Sequence, residues 1–181
     1  MKRDLIRVLF VILCLMNCTM AGCNNSAKAL DYNNQLIQSQ TIVMEKMLAL
    51  TDTFEKSDPA AMSASLKALA QTIDRAITDV SRVAAFDGDT SLRDALLTLL
   101  KFYKQISDQE FQEIVGILGR VNPPVTQADV DRMNVINADI TKREAVLDET
   151  LGKVQQAFAK KYKFEIAKHQ LQDKVDQLNQ K

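Results

Sequence analysis

Apolar residues recur every three or four positions over long stretches of this 181-residue chain, and this spacing constrains its fold most strongly. The clearest stretch begins at Pro59 and ends near Val83. Its apolar series is Met62, Leu66, Leu69, Ile73, Ile77 and Val80. Steps of three and four place side chains on one face of an α-helix, whereas a half-buried strand needs strict alternation. With only five Gly and three Pro, the chain has few points that interrupt helices.

Four segments carry this periodicity, and turn signals separate them. Asp58 is a candidate N-cap, and Pro59 suits the first position of the second helix. Gly88 lies in the second turn, and the Asn-Pro-Pro run at 122–124 ends the third helix. Helices of similar length with short connections pack antiparallel, so we expect an all-α, up-down-up-down four-helix bundle. The predicted helices are 31–56, 59–83, 91–118 and 126–181.

The fourth predicted helix is longer than such a bundle can cover. A straight helix over 126–181 would span about 80 Å at 1.5 Å per residue. Its coiled-coil-like seam consists of Met133, Ile136, Ile140, Leu147, Leu151, Val154 and Phe158. We therefore expect a bundle over 31–164 and a helical C-terminal extension over 165–181. The residues predicted to contact a second copy or another envelope protein are Phe164, Leu171, Val175 and Leu178.

An alternative for this tail stays open at the level of sequence. A solitary helix with an apolar stripe is marginal in water, because helices in proteins are stabilised mainly by packing. The tail would then fray, or fold back at a bend near Lys163.

The first 22 residues have the three-part layout of a secretory signal. Lys2, Arg3 and Arg7 give a positive start, residues 8–16 are apolar and uncharged, and a more polar stretch follows. A helix that crosses a bilayer needs about 20 apolar residues, so a permanent anchor formed by this run is the less favoured interpretation. We expect residues 1–22 to be removed.

The residues Met20-Ala21-Gly22-Cys23 resemble the lipobox of bacterial lipoproteins, with Met where Leu is usual. In that family a peptidase cuts before the cysteine, which receives a diacylglycerol. The resemblance implies lipidation of Cys23 and anchoring to a membrane, because two or more acyl chains hold a protein stably. Enterobacterial lipoproteins retained in the inner membrane carry Asp at the next position, whereas this chain has Asn24. The expected location is the outer membrane, with residues 23–30 as a short tether.

Two other processing routes remain. Ordinary signal peptidase cleavage after Ala21 would leave Cys23 as a free thiol and yield a secreted or periplasmic protein. Acylation of Cys18 is disfavoured by the preceding Asn17. Beyond Cys23 the chain contains no cysteine, which excludes a disulfide framework or a thiolate metal site in the folded part.

No residue pattern predicts catalysis, a cofactor or a metal. His169 is the single histidine and follows Glu165 by four residues, whereas di-iron bundles need Glu-x-x-His pairs on two helices. The carboxylates of Asp87, Asp89 and Asp94 lack the EF-hand pattern and fit a turn between helices. The basic run at 160–168 is compatible with acidic lipid, but on a helix it spreads into a solvated face. With 23 basic and 23 acidic residues, no nucleic-acid partner is expected.

Two stretches, YNNQLIQSQTIVMEKMLALTDTFEKSD and AFDGDTSLRDALLTLLKFYKQISDQEFQEIVGIL, are similar to helical lipoproteins first catalogued as surface proteins of leptospires. That resemblance implies a helical fold and an envelope location, and it carries over no catalytic residue. We therefore expect a lipid-anchored, non-catalytic envelope protein that acts by protein contacts or in envelope maintenance. The alternatives are a binding module for an apolar or envelope-derived ligand, and a secreted effector or periplasmic chaperone if Cys23 is not acylated.

Overall fold

The computed structural model describes residues 24–56, 58–120, 122 and 124–166. Across these ranges the chain forms helices and turns without a β-strand, which confirms the predicted all-α class. The helices are α1 (Asn24–Lys56), α2 (Pro59–Arg82), α3 (Ser91–Asp108), α4 (Glu110–Leu118) and α5 (Gln127–Tyr162).

The helices pack as four antiparallel rods, and α3 and α4 together form the third rod. Neighbouring rods are α1 with α2, α2 with α3, α3 with α5 and α5 with α1. The hydroxyl of Ser26 at the start of α1 donates to the carbonyl of Tyr162 at the end of α5 over 2.7 Å, so these two helices run in opposite directions. The predicted up-down-up-down order is confirmed. None of the described helices is long and apolar enough to cross a membrane.

Local signals and an apolar face together define α2. The Asp58 carboxylate accepts hydrogen bonds from the backbone N–H groups of Ala60 and Ala61, as an N-cap does, and Pro59 lies in the first turn. Every buried residue of α2 is apolar, and each follows the previous one by three or four positions. They are Met62, Leu66, Leu69, Ile73, Ala76 and Val80.

The third rod is not the single helix predicted over 91–118, because it breaks at Gln109. That residue has φ −121° and ψ −76°, which is not a helical conformation. The apolar pattern explains the break: after Ile106, the next buried apolar side chain is Phe111, five residues later. A helix turns once in 3.6 residues, so a step of five would carry Phe111 off the buried face. The break returns the side chains of α4 to the core.

The start of α1 corrects the predicted tether over 23–30, because the helix already begins at Asn24. Ala29 is completely buried, and Ser26 is bonded to Tyr162. Tertiary contacts therefore hold the first two turns, and Ala, Lys and Leu are good helix formers there. Cys23 directly precedes a helix that is already part of the bundle.

The end of α5 corrects the predicted continuation to Lys181. The helix starts as predicted, with a reciprocal capping box between Thr126 and Asp129, but it ends at Tyr162. Lys163 has a left-handed conformation with φ 58°, an arrangement common where helices terminate. The bend near Lys163 that the sequence left open is therefore present.

Beyond the bend, Phe164 turns back onto the bundle instead of projecting from it. Its ring lies 6.0 Å from that of Phe158, and its side chain is buried. Phe164 is therefore a core residue and is not available as the predicted partner contact. The other three predicted contacts, Leu171, Val175 and Leu178, lie outside the described residues.

Candidate functional site

Three segments meet at the end of the bundle where α1 begins, which we call the α1-start end. They are the first turns of α1, the α2–α3 turn over 83–90, and the end of α5. The amide of Asn25 donates to the carboxylate of Asp87 over 2.9 Å, and the ammonium of Lys161 donates to Asp89 over 2.6 Å. These bonds tie the turn to both terminal helices, so Asn25, two residues after Cys23, is joined to a well-defined surface.

The α2–α3 turn is a tight Asp-Gly turn. Phe86 and Asp89 exchange backbone hydrogen bonds of 3.0 and 2.8 Å. The two central residues, Asp87 and Gly88, have φ values of 49° and 78°, which Asp-Gly pairs tolerate well. The side chain and backbone N–H of Ser91 also bond to the Asp89 carboxylate. Within the described ranges, no group of three or more His, Cys, Asp or Glu residues could hold a metal ion.

Asp89 is the electrostatic centre of this turn. Hydrogen bonds from Lys161 and Ser91 lower its pKa from 3.8 to about 2. The ion pair therefore persists over all moderately acidic and neutral conditions, and it is lost only as the pH falls toward 2. The Lys161 ammonium also lies 4.9 Å from the centre of the Tyr162 ring.

An aromatic cluster fills the interior of the α1-start end. Its ring centroids are between 4.6 and 6.0 Å apart, in tilted and edge-to-face arrangements. The rings come from α1, the α2–α3 turn and the end of α5, so they lock these segments together. The cluster consists of Tyr32, Phe86, Phe158, Tyr162 and Phe164.

A second unusual region lies in the core, where α5 buries polar side chains. Glu144, Asp148 and Gln155 are only 2%, 7% and 3% exposed, and we call these three residues the polar seam. They share the inward face of α5 with Ile140 and Leu151. A helix seldom buries carboxylates unless they are paired, so this region differs from an ordinary core.

The polar seam was not predicted. Of the predicted coiled-coil-like seam, five residues are buried and the other two, Leu147 and Val154, are partly buried and packed against the core. A regular step of four residues from Ile140 leads to Glu144 and then to Asp148, and this spacing indicates the polar seam. Following only the apolar residues along α5 passes over both carboxylates.

Gln155 is hydrogen-bonded to α1. Its amide donates to the side-chain oxygen of Asn33 over 2.9 Å, and Asn33 is completely buried. Both partners are neutral, so the pair meets the requirement that buried polar groups be hydrogen-bonded. It joins α1 to α5 directly beside the aromatic cluster, because Asn33 follows Tyr32 in the chain.

Glu144 is less well satisfied. The phenol of Tyr103 donates to its Oε1 over 3.0 Å. In the part of the chain that the structure describes, its Oε2 has no hydrogen-bond partner. Burial, and then the charge of Asp148, raise the pKa of Glu144 from 4.5 to about 8, against the opposing effect of the Tyr103 bond. At neutral pH the side chain of Glu144 is therefore mostly protonated.

The nearest basic side chain in sequence does not offset this carboxyl. The guanidinium of Arg143 pairs with Glu110 of α4 and with Asp139, and it lies 5.1 Å from the centre of the Phe102 ring. The cation next to Glu144 in the chain is therefore engaged by other groups.

The chain matches no known family model, no curated protein and no solved structure. Of the residues predicted to carry function, Cys23 lies outside the described ranges, immediately before α1. The residues of the α1-start end and of the polar seam are therefore the basis for assigning a function.

Proposed function

We propose that this protein is a lipid-anchored, non-catalytic helical protein of the bacterial cell envelope that acts through protein contacts. One observation carries the proposal. Cys23 ends a lipobox-like sequence and directly precedes α1, which joins the bundle from Asn24 onward. A lipid on Cys23 would hold a folded domain at the membrane surface without an intervening linker.

This connection orients the bundle. The α1-start end would face the lipid, and the start of α5 would lie at the far end. α5 has 36 residues, so it extends about 54 Å at 1.5 Å per residue. Partners would then meet either the sides of the bundle or its distal end, away from the bilayer.

The interior favours a protein that binds partners on its outer surface over one that binds a ligand between its helices. Buried side chains from all five helices form one continuous apolar cluster, from Ala29 near the anchor to Leu50 and Met62 at the other end. Cores of this kind are close-packed, so binding through the outer surface is the simpler function.

Intact mass of the protein extracted from membranes tests the anchor. We expect a chain that begins at Cys23 and carries acyl groups. Cys23→Ser should abolish the added mass and leave an uncleaved precursor or a released protein, whereas the matched change Cys18→Ser should alter nothing. An unmodified mass that begins at Gly22 or Cys23 would refute the proposal.

Labels at the two ends test the orientation. Residues 24–181 contain no cysteine, so Ala84→Cys and Val125→Cys each place one thiol at an exposed position, near and far from the anchor. A fluorophore at position 84 should be quenched by a quencher attached to lipid headgroups, and one at position 125 should not. Equal quenching at both positions would contradict the end-on arrangement.

Photo-crosslinking in intact cells tests the contact function. Suitable positions are Ile42, Val135 and Val146, whose side chains are 41%, 61% and 62% exposed. We expect discrete crosslinked species at one or more of these positions, and their loss in the unanchored Cys23→Ser chain. Absence of any product at all three would argue against a protein that acts by contact along its sides.

A further inference from the structure

We propose that the packing of α5 against α3 depends on a proton held by Glu144, so that α5 loosens from the bundle when this carboxyl ionises. The inference concerns the core, and it does not depend on how the protein is anchored. It rests on the hydrogen bonds, burial and charges that surround one side chain.

The closed bundle is built for a neutral carboxyl. One hydroxyl, that of Tyr103, reaches Glu144, and the second carboxyl oxygen has no partner among the described residues. A carboxylate that is stable in a protein interior normally accepts two or three hydrogen bonds or faces a cation. Glu144 has one hydrogen bond and is 2% exposed, so its charged form lacks both kinds of support.

Two hydrogen bonds between α1 and α5 show which residues of α1 face Glu144. Ser26 is bonded to Tyr162, and Asn33 is bonded to Gln155, so the residue numbers of facing positions sum to 188. The same register brings Met44 opposite Glu144. The buried side chains of α1 around that point are Gln40, Thr41, Val43, Met44 and Met47, and none of these is ionisable.

Among the residues that the structure describes, the other elements also present no free cation. α2 contributes only apolar side chains to the core. α3 presents Tyr103, which burial keeps neutral, because its pKa lies well above 10. α4 presents Glu110, which is paired with Arg143. On α5 itself, the next turn carries Asp148, so an ionised Glu144 would face another carboxylate.

The direction of the pH effect follows from these groups. In an opened helix Glu144 would titrate near its ordinary pKa of 4.5, whereas in the closed bundle its pKa is about 8. The closed form therefore holds one more proton between those values. Rising pH favours opening across this window, by up to about tenfold for each pH unit, and the effect levels off above the higher pKa.

The opening should involve α5 before the rest of the bundle. The carboxyl belongs to α5 and its hydrogen-bond donor belongs to α3, so their common interface loses packing first. The buried contacts of α2 are all apolar and do not change with pH, and its ion pair to α3, between Asp74 and Lys104, lies at the surface. Regions that open separately from the whole fold are common in helical proteins.

Amide hydrogen exchange at pH 6 and pH 8, corrected for intrinsic exchange rates, tests the proposal on the protein as purified from cells. Peptides from residues 133–158 of α5 should lose protection by up to about a hundredfold between these conditions, because one proton is linked over two pH units. Peptides from residues 62–80 of α2 should lose much less.

Three variants distinguish Glu144 from other titratable groups. Glu144→Gln keeps an acceptor for Tyr103 and cannot ionise, so α5 should stay protected at both pH values. Glu149→Gln, an exposed change on the same helix, and His169→Gln, which removes the one histidine, should both behave like the wild type.

A further variant tests the proposal independently if the Glu144→Gln protein does not fold. Tyr103→Phe removes the bond that stabilises the carboxylate, so opening should continue to increase at pH values where the wild type has levelled off. Equal protection of wild-type α5 at both pH values, equal losses in α2 and α5, or a Glu144→Gln protein that opens like the wild type would each overturn the proposal.

Discussion

α2 and α5 belong to the same antiparallel bundle, yet they bury different chemistry. All six buried residues of α2 are apolar. The buried face of α5 includes Glu144, Asp148 and Gln155 among its apolar residues. Apolar burial is non-directional and tolerates small shifts, whereas a buried polar group needs a particular partner at a particular place.

The buried chemistry decides which of the two helices can respond to a change of pH. The contribution of α2 depends on the area it removes from water, and no ionisable group lies on its buried face. The contribution of α5 depends on the protonation of Glu144 and on two interhelical hydrogen bonds, from Tyr103 and to Asn33.

Leu69→Ala should destabilise the bundle by about 2–5 kcal/mol, because Leu69 is completely buried on the apolar face of α2. The loss should be the same at pH 6 and pH 8. Urea unfolding followed by circular dichroism measures it. A loss below about 0.5 kcal/mol would place Leu69 at the surface and remove the contrast between the two helices.

Replacing Glu144 by Met, together with Tyr103→Phe, should stabilise the protein by roughly 4 to 5 kcal/mol at pH 9. The wild type loses stability as the pH rises from the ordinary pKa of 4.5 to the native pKa of about 8, and each pKa unit corresponds to about 1.36 kcal/mol. At pH 5, where the carboxyl is protonated in the native state, the two proteins should differ by about 1 kcal/mol or less. Equal effects at both pH values would show that packing, and not charge, distinguishes α5.

Gln155→Leu should destabilise by about 1–3 kcal/mol, because Asn33 is then left without its hydrogen-bond donor from α5. Adding Asn33→Leu should recover most of the loss, since apolar groups replace both partners. A double-mutant cycle from urea unfolding gives the coupling. Additive losses would mean that Gln155 and Asn33 have no coupling energy.

Removal of a helix N-cap should have the smallest effect on stability. It also serves as a control, because the caps lie outside the core. Asp58→Ala on α2 and Thr126→Ala on α5 should each cost about 1 kcal/mol, since each side chain accepts backbone N–H bonds at a helix start. Thermal unfolding measures both. A cap on α5 that cost much more than the cap on α2 would show that α5 is weak throughout, and not only at the polar seam.

The sequence predicts α2 well because its signals are local. Asp58, Pro59 and an apolar face of regular spacing lie within the helix or next to it, and the observed helix follows them. The break at Gln109 is also visible in the sequence, in the five-residue step from Ile106 to Phe111, although it was not predicted.

The features that the sequence did not predict depend on distant partners. Glu144 is buried because α5 packs against Tyr103, and nothing near Glu144 in the chain indicates that bond. α5 ends at Tyr162 because the aromatic cluster accepts Phe164, and α1 starts at Asn24 because α5 packs beside it. Lipidation of Cys23 stays a prediction.

Carbon-13 NMR of the glutamate side chains measures directly whether α5, unlike α2, holds a proton in its buried face. The carboxyl of Glu144 should titrate with a midpoint near 8, while the exposed Glu149, whose pKa is lowered by its bond to Lys153, should titrate below 4.5. A midpoint for Glu144 near 4.5, in line with an exposed glutamate, would contradict the account.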